Sequence, residues 1–175
     1  VVASNVTTEE VMPMINKWFG PIPARQLALK NIPVEPAQTD YREQTVYREV
    51  PNDALYMAFH MSNRLHSDYY VSDMISDVLS NGNSSRLYQR LVQEKKIFAT
   101  LDAYVSGDYD PGLFIFSGNP SKGISLEQAR EELEKEIELI KTVPVEALEL
   151  EKVKNKFEAN IIYSEISYLN KAQNL

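Results

Sequence analysis

Two histidines, His60 and His66, are the only imidazoles in 175 residues, and there is no cysteine. Any nucleophile, general base or metal centre has to be built around these two or from oxygen ligands alone. A cysteine nucleophile, a disulfide framework and a thiolate zinc site are excluded outright. His60, His66 and Asp68 could in principle meet at a metal. However, His60 falls in an alternating segment that reads as a strand and His66 in the loop after it, so the two imidazoles lack the shared helix face on which a zinc-binding pair is usually mounted. The simpler reading is that both are hydrogen-bonded or solvated. Ser84-Ser85 beside Arg86 suggests a serine nucleophile, yet such chemistry needs a histidine base and an orienting carboxylate held around it. Helix capping accounts for the serines without that machinery. No catalytic, cofactor-binding or metal-binding residue is therefore assigned.

Composition narrows the partners. The chain is 43% hydrophobic and 25% charged, with 25 acidic against 18 basic residues and a net charge of -7. That suits a globular protein with one sizeable core. No basic stripe offers phosphates a surface, so nucleic acid is excluded as an expected partner. No apolar run approaches the length of a membrane span, and a soluble protein, periplasmic or cytoplasmic, is expected.

The elements that would position these residues follow from periodicity. Thr7 and Glu10 have capping-box spacing, and Val11, Met14, Ile15 and Trp18-Phe19 follow at helical intervals until Gly20-Pro21, which predicts a helix over 8–19. Residues 22–40, with Pro23, Pro33 and Pro36, read as an extended linker. Gln44–Val50 alternates, and Leu55, Met57, Phe59 and Met61 share one face of a clearer alternation; together they predict an antiparallel hairpin. Helices are expected at Asp68–Leu79 and from Ser84-Ser85 onward, carrying Leu87, Leu91 and Val92. A second hairpin is expected from Leu101, Ala103 and Val105 through Asp110-Pro111-Gly112 to Leu113–Phe116. Ser125 and Gln128 open a helix with the stripe Leu126, Ala129, Leu133, Ile137 and Ile140. A last helix, carrying Leu150, Val153, Phe157, Ile161 and Tyr168, is expected to run to the end of the chain. Such blocks of strands and helices predict an α+β fold, an antiparallel sheet backed by helices. Val1-Val2-Ala3 reads as the end of a strand, and both termini read as cut from a longer polypeptide.

Three segments carry a resemblance. Leu79 to Val92, with its Asn81-Gly82-Asn83 turn and Ser85-Arg86-Leu87, Asp108 to Phe114 at the second hairpin, and Glu149 to Asn155 in the last helix occur in an order that resembles the pitrilysin, insulysin and mitochondrial-processing-peptidase family of zinc metallopeptidases. Val1-Val2-Ala3, the first helix and Trp18-Phe19-Gly20-Pro21 look like the close of a preceding domain. The resemblance implies a division into residues 1–21 from that domain, a linker at 22–40, and an inactive peptidase-like domain over 41–175 that is truncated at its C-terminus. It also implies two similar halves facing each other across a chamber, with zinc held in the catalytic half by His-x-x-Glu-His and a later Glu. That motif is absent here, so zinc is expected only in the missing half and none in this fragment. Some members supply an Arg and a Tyr, seven positions apart, to the substrate; Val92 and Ala99 stand at those places. The implied role is the non-catalytic half of a bacterial-type zinc protease, walling the chamber and enclosing peptide. Its partner would be the catalytic half of the same polypeptide or a separate peptidase subunit, with a homodimer also possible. The alternative is a scaffold whose parent has lost the zinc motif.

Overall fold

The computed structural model describes residue 2, residues 4–25 and residues 33–173. Val1 and Ala3 of the expected opening strand, part of the expected linker, and the last two residues of the expected final helix lie outside them. The elements in chain order are α1 (Thr8–Phe19), β1 (Leu55–Met61), α2 (Ser67–Ser80), a wide helix (Tyr88–Glu94), β2 (Phe98–Ser106), β3 (Gly112–Pro120), α3 (Leu126–Thr142), α4 (Ala147–Ser164) and α5 (Tyr168–Gln173). The chain divides into two compact units, one of Val1–Arg48 with Tyr163–Leu175 and one of Glu49–Ile162.

In the first unit, α1 forms as its cap predicts. Thr7 Oγ1 accepts from the Glu10 N–H and the Thr7 N–H donates to Glu10 Oε2, which satisfies free groups at both residues. None of its residues is buried. The expected single final helix is broken: α4 stops at Ser164, and Ser167 starts α5 by accepting from the Asn170 N–H on its hydroxyl and from the Lys171 N–H on its carbonyl. A serine inside a helical pattern competes for backbone groups and favours a new start.

The second unit holds the core. β3 lies between β1 and β2 in a three-stranded antiparallel sheet. The β2–β3 hairpin is the one expected, and Gly112 opens β3 because a Cβ there would stand 1.8 Å from the Ser106 carbonyl oxygen. The first hairpin is a correction: Gln44–Val50 forms no strand, and β1 pairs instead with β3, Met57 opposite Phe116. Its one apolar face offers Val46 and Val50 with Arg48 between them, too little to bury, and both valines remain 58% exposed.

Helices cover one face of the sheet. Leu79 of α2, Leu87 just before the wide helix and Leu91 within it, and Ala129, Leu133 and Ile137 of α3 pack with Phe98, Leu101, Ala103 and Phe116. The expected stripe on α3 is thus the core-facing one. Phe116 also meets Phe59 edge to face at 6.2 Å between centroids, the favoured arrangement for such rings.

Candidate functional site

Two surfaces of the second unit could meet a ligand. The first is the sheet face opposite the helices. The strict alternation of an antiparallel strand sends Thr100, Asp102 and Tyr104 to this side, while Leu101 and Ala103 are buried. Register then lines Tyr56, Ser117 and Asp102 across the three strands, and Ala58, Ile115 and Tyr104 beside them. Tyr56 and Tyr104 are both exposed there, as is His60. At one end Thr100 Oγ1 bonds to Asn119 Oδ1 at 3.0 Å, and Asn119 donates to the Asp53 carbonyl at 2.9 Å, which fixes the chain before β1.

The second surface runs along the free edge of β2. A groove of about 280 Å³ is lined by Ser80, Tyr88, Val92, Ala99, Leu101 and Asp102, among others. Val92 and Ala99, the two positions singled out in the sequence, are thus brought together across it. The wide helix forms one of its sides. In this helix the Lys95 N–H reaches the Arg90 carbonyl, five residues back, at 3.0 Å, in place of the usual four-residue step. Such segments are rare and concentrate at functional sites.

Ion pairs behind the groove hold that helix in place. Arg86 Nε and Nη2 donate to the two carboxylate oxygens of Glu149 at 2.9 and 2.7 Å, with side chains only 13% and 18% exposed. The guanidinium hydrogen bond holds the Glu149 carboxyl below the usual glutamate range and raises Arg86, against the opposing pull of burial in each case. Arg90 Nη1 donates to Glu136 Oε2 at 2.8 Å, and Lys95 lies 3.7 Å from the other oxygen of the same buried carboxylate. Lys95 and Lys135 both bond to Glu132 and lower its carboxyl, Lys135 contributing most.

The remaining sequence candidates take structural places. The expected serine cap is corrected. Ser85 is 1% exposed and its hydroxyl has no partner among the described residues, and Ser84 Oγ instead accepts from Lys152 Nζ at 3.0 Å. The helix begins here with the Gln89 N–H donating to the Ser85 carbonyl, so the backbone does what the hydroxyl was expected to do. His66 is the cap of α2, its Nδ1 accepting from the Asp68 N–H at 3.2 Å, while His60 sits in β1 opposite Leu113. Asp68 Oδ2 is 3.6 Å from His66 Nδ1, and among the described residues no group of three His, Cys, Asp or Glu could hold a metal. This donor set does not fit a zinc ion. Sequence reasoning missed Glu136, which is 4% exposed on α3 and looks like one more solvated glutamate in a Glu-rich helix.

An antiparallel sheet with helices on one face and an open polar face on the other defines an α+β domain. The chain belongs to the family described as the Peptidase M16 inactive domain, which matches residues 1–157. A zinc protease, PqqE, of Helicobacter pylori is 24% identical over 167 residues, covering 93% of this chain and 37% of that protein. The crystal structure of a protease from H. pylori superposes with a TM-score of 0.85 at 24% identity, over 97% of this chain and 42% of its own. The inactive peptidase domain of a candidate zinc protease from Bordetella parapertussis gives 0.65 at 22% identity, over 74% and 69% of the two chains. The chain therefore spans well under half the length of the H. pylori proteins. Among its described residues no helix is long and apolar enough to cross a membrane.

Proposed function

We propose that this chain is the non-catalytic half of a zinc protease, forming one wall of a proteolytic chamber and helping to enclose a peptide substrate. One observation supports the reading above the others: the sheet keeps a row of exposed polar and aromatic side chains, Tyr56, Asp102, Tyr104 and His60, on the face the helices leave open. Groups of this kind bond to peptide main chain and stack on side chains without acting on the scissile bond. Zinc and its water belong to the other half, supplied by the same polypeptide or by a separate subunit.

The test has two arms. Purified chain titrated with zinc should show no tight one-to-one binding and no chelator-sensitive cleavage of an unstructured peptide; either result overturns the non-catalytic reading. In the polypeptide that includes the catalytic half, a photo-crosslinker replacing Tyr104 should capture substrate, and failure to do so from Tyr104, Tyr56 and His60 alike removes the wall. Val92 and Ala99 at the substrate-contact positions favour the scaffold reading as a second possibility. A His-x-x-Glu-His motif in the parent polypeptide before Val1 decides for the enzyme, and its absence decides for the scaffold.

A further inference from the structure

We propose that Asn81 is a guarded self-modification site. The fold protects it from deamidation while α2 and α4 are tied together at this turn, and its conversion to aspartate or isoaspartate unties them permanently. The proposal is independent of the reading of this chain as a chamber wall.

Asn81 is the one asparagine of the chain that is followed by a glycine. In such a pair no side chain shields the following main-chain nitrogen, and the backbone is free to bring it against the carboxamide. The turn itself requires the glycine, because Gly82 has a φ of 95°, in the left-handed region. The reaction needs no partner but water. Gly82 N bonds to Asn81 Cγ, the Cγ–Nδ2 bond breaks, and Nδ2 leaves as ammonia, taking the proton given up by the Gly82 nitrogen. Water then opens the resulting succinimide at Cγ to give aspartate, or at the main-chain carbonyl to give isoaspartate. In isoaspartate the backbone runs through the side chain and is one carbon longer.

The structure holds each group of that reaction in another bond. Asn81 caps the end of α2, its N–H donating to the Asp77 carbonyl at 3.0 Å. Asn81 Nδ2 donates to Asp77 Oδ1 at 2.6 Å, and Asn81 Oδ1 accepts from Lys156 Nζ of α4 at 2.5 Å, so both ends of the carboxamide are occupied. The nucleophile is occupied as well, because the Gly82 N–H donates to the Ser80 carbonyl at 2.9 Å. Lys156 Nζ also lies 3.4 Å from where a Cβ of Gly82 would stand, so one ammonium group closes the turn from the side of α4. Attack requires the carboxamide to turn onto the Gly82 nitrogen, which breaks its bonds to Asp77 and Lys156. The reaction therefore waits on local opening of the turn. Its products then keep the turn from closing. Aspartate places an oxygen where Nδ2 donated, against the Asp77 carboxylate, and a hydrogen bond becomes a like-charge contact. Isoaspartate lengthens the main chain between the Asn81 and Gly82 donors and shifts one of them off its acceptor.

The test holds the purified chain in mildly alkaline buffer and follows Asn81 by mass spectrometry of its proteolytic fragments, with an isoaspartate methyltransferase to count the isoaspartate. Conversion should be at least about tenfold slower in the folded chain than in a synthetic peptide of residues 77–86. Lys156→Met removes the clamp from α4 and should speed conversion about tenfold. Gly118→Ala strains the core but makes none of these bonds, and should convert at the wild-type rate, which tells local release from a general loss of stability. Asn81→Asp stands for one product and should speed hydrogen exchange at the Gly82 amide at least about threefold. Wild-type conversion at the rate of the peptide, no acceleration in Lys156→Met, equal acceleration in Gly118→Ala, or unchanged Gly82 exchange in Asn81→Asp overturns the proposal.

Discussion

Replacing Arg86 by Ala removes a two-pronged hydrogen bond and leaves the Glu149 carboxylate, 18% exposed, with no counter-charge of equal geometry. Exposed ion pairs contribute about 0–1 kcal/mol, whereas removing one partner of a buried pair costs about 3–5 kcal/mol. With its side chains 13% and 18% exposed, this pair lies between the limits but nearer the buried one. Arg86→Ala should therefore cost about 2–3 kcal/mol. Arg86→Lys keeps the charge, loses the fork and should cost about 1–2 kcal/mol. The double variant Arg86→Met with Glu149→Leu should recover most of the loss, since neither charge is then stranded. Urea unfolding of the chain, with unchanged slope, measures each value, and the cycle should give a coupling of at least about 1 kcal/mol. The pH dependence follows from the direction of the carboxyl shift. Glu149 is held below its ordinary value of 4.5, so its contribution is complete above that value and is lost as pH falls through the lower folded one. The gap between wild type and Arg86→Ala should narrow as pH falls below 4.5. A cost under about 0.5 kcal/mol for Arg86→Ala, or a coupling indistinguishable from zero, would refute the assignment of this pair as the tie between the wide-helix segment and α4.

Two other expectations use the same unfolding assay. Gly118→Ala introduces a Cβ 2.8 and 2.9 Å from Phe98 Cδ1 and Leu101 Cδ1, both in the core, and should cost about 1–3 kcal/mol; an unchanged midpoint would mean that the hairpin is looser than described. Ser125→Ala removes the hydroxyl that accepts from the Gln128 N–H and should cost about 1 kcal/mol, whereas Ser85→Ala removes a buried hydroxyl with no partner among the described residues and should be neutral or stabilising. If Ser85→Ala proved as costly as Ser125→Ala, the serine would be capping after all.

Local periodicity carried much of the fold. Leu101 and Ala103 alternate into the core with Val105 half-buried on the same side, Ala129, Leu133 and Ile137 recur at helical spacing, and Asp110-Pro111-Gly112 turns between β2 and β3. What periodicity lacks is the identity of the partner. Strand β1 looks equally able to pair with Gln44–Val50, nearby in sequence, and with β3, more than fifty residues on. Only the apolar surface buried by the second arrangement decides between them, Met57 and Phe59 meeting Phe116 and Phe114. Glu136 was hidden for a related reason. Its cation, Arg90, lies 46 residues away, so nothing local distinguishes it from the solvated glutamates around it. The wide helix has no signature either, since Leu87 and Leu91 keep ordinary four-residue spacing although the hydrogen-bond ladder is widened over Tyr88–Glu94.

The segments that carried the family resemblance turn out to be mutually bonded. Arg86 of the first grips Glu149 of the third, Lys152 of the third holds Ser84, and Ser80 of the first caps Ala103 on the strand leading to the second. Ordered recurrence of such segments suits a shared scaffold, because each supplies hydrogen-bond partners to another. This separates two classes of substitution. Changes at Arg86, Glu149 or Gly118 should move the unfolding midpoint and, in variants that still fold, leave peptide affinity alone. A change at Ala99, which is exposed on the groove and makes none of these ties, should leave the midpoint within about 0.5 kcal/mol. A larger loss would make that side of the groove part of the scaffold.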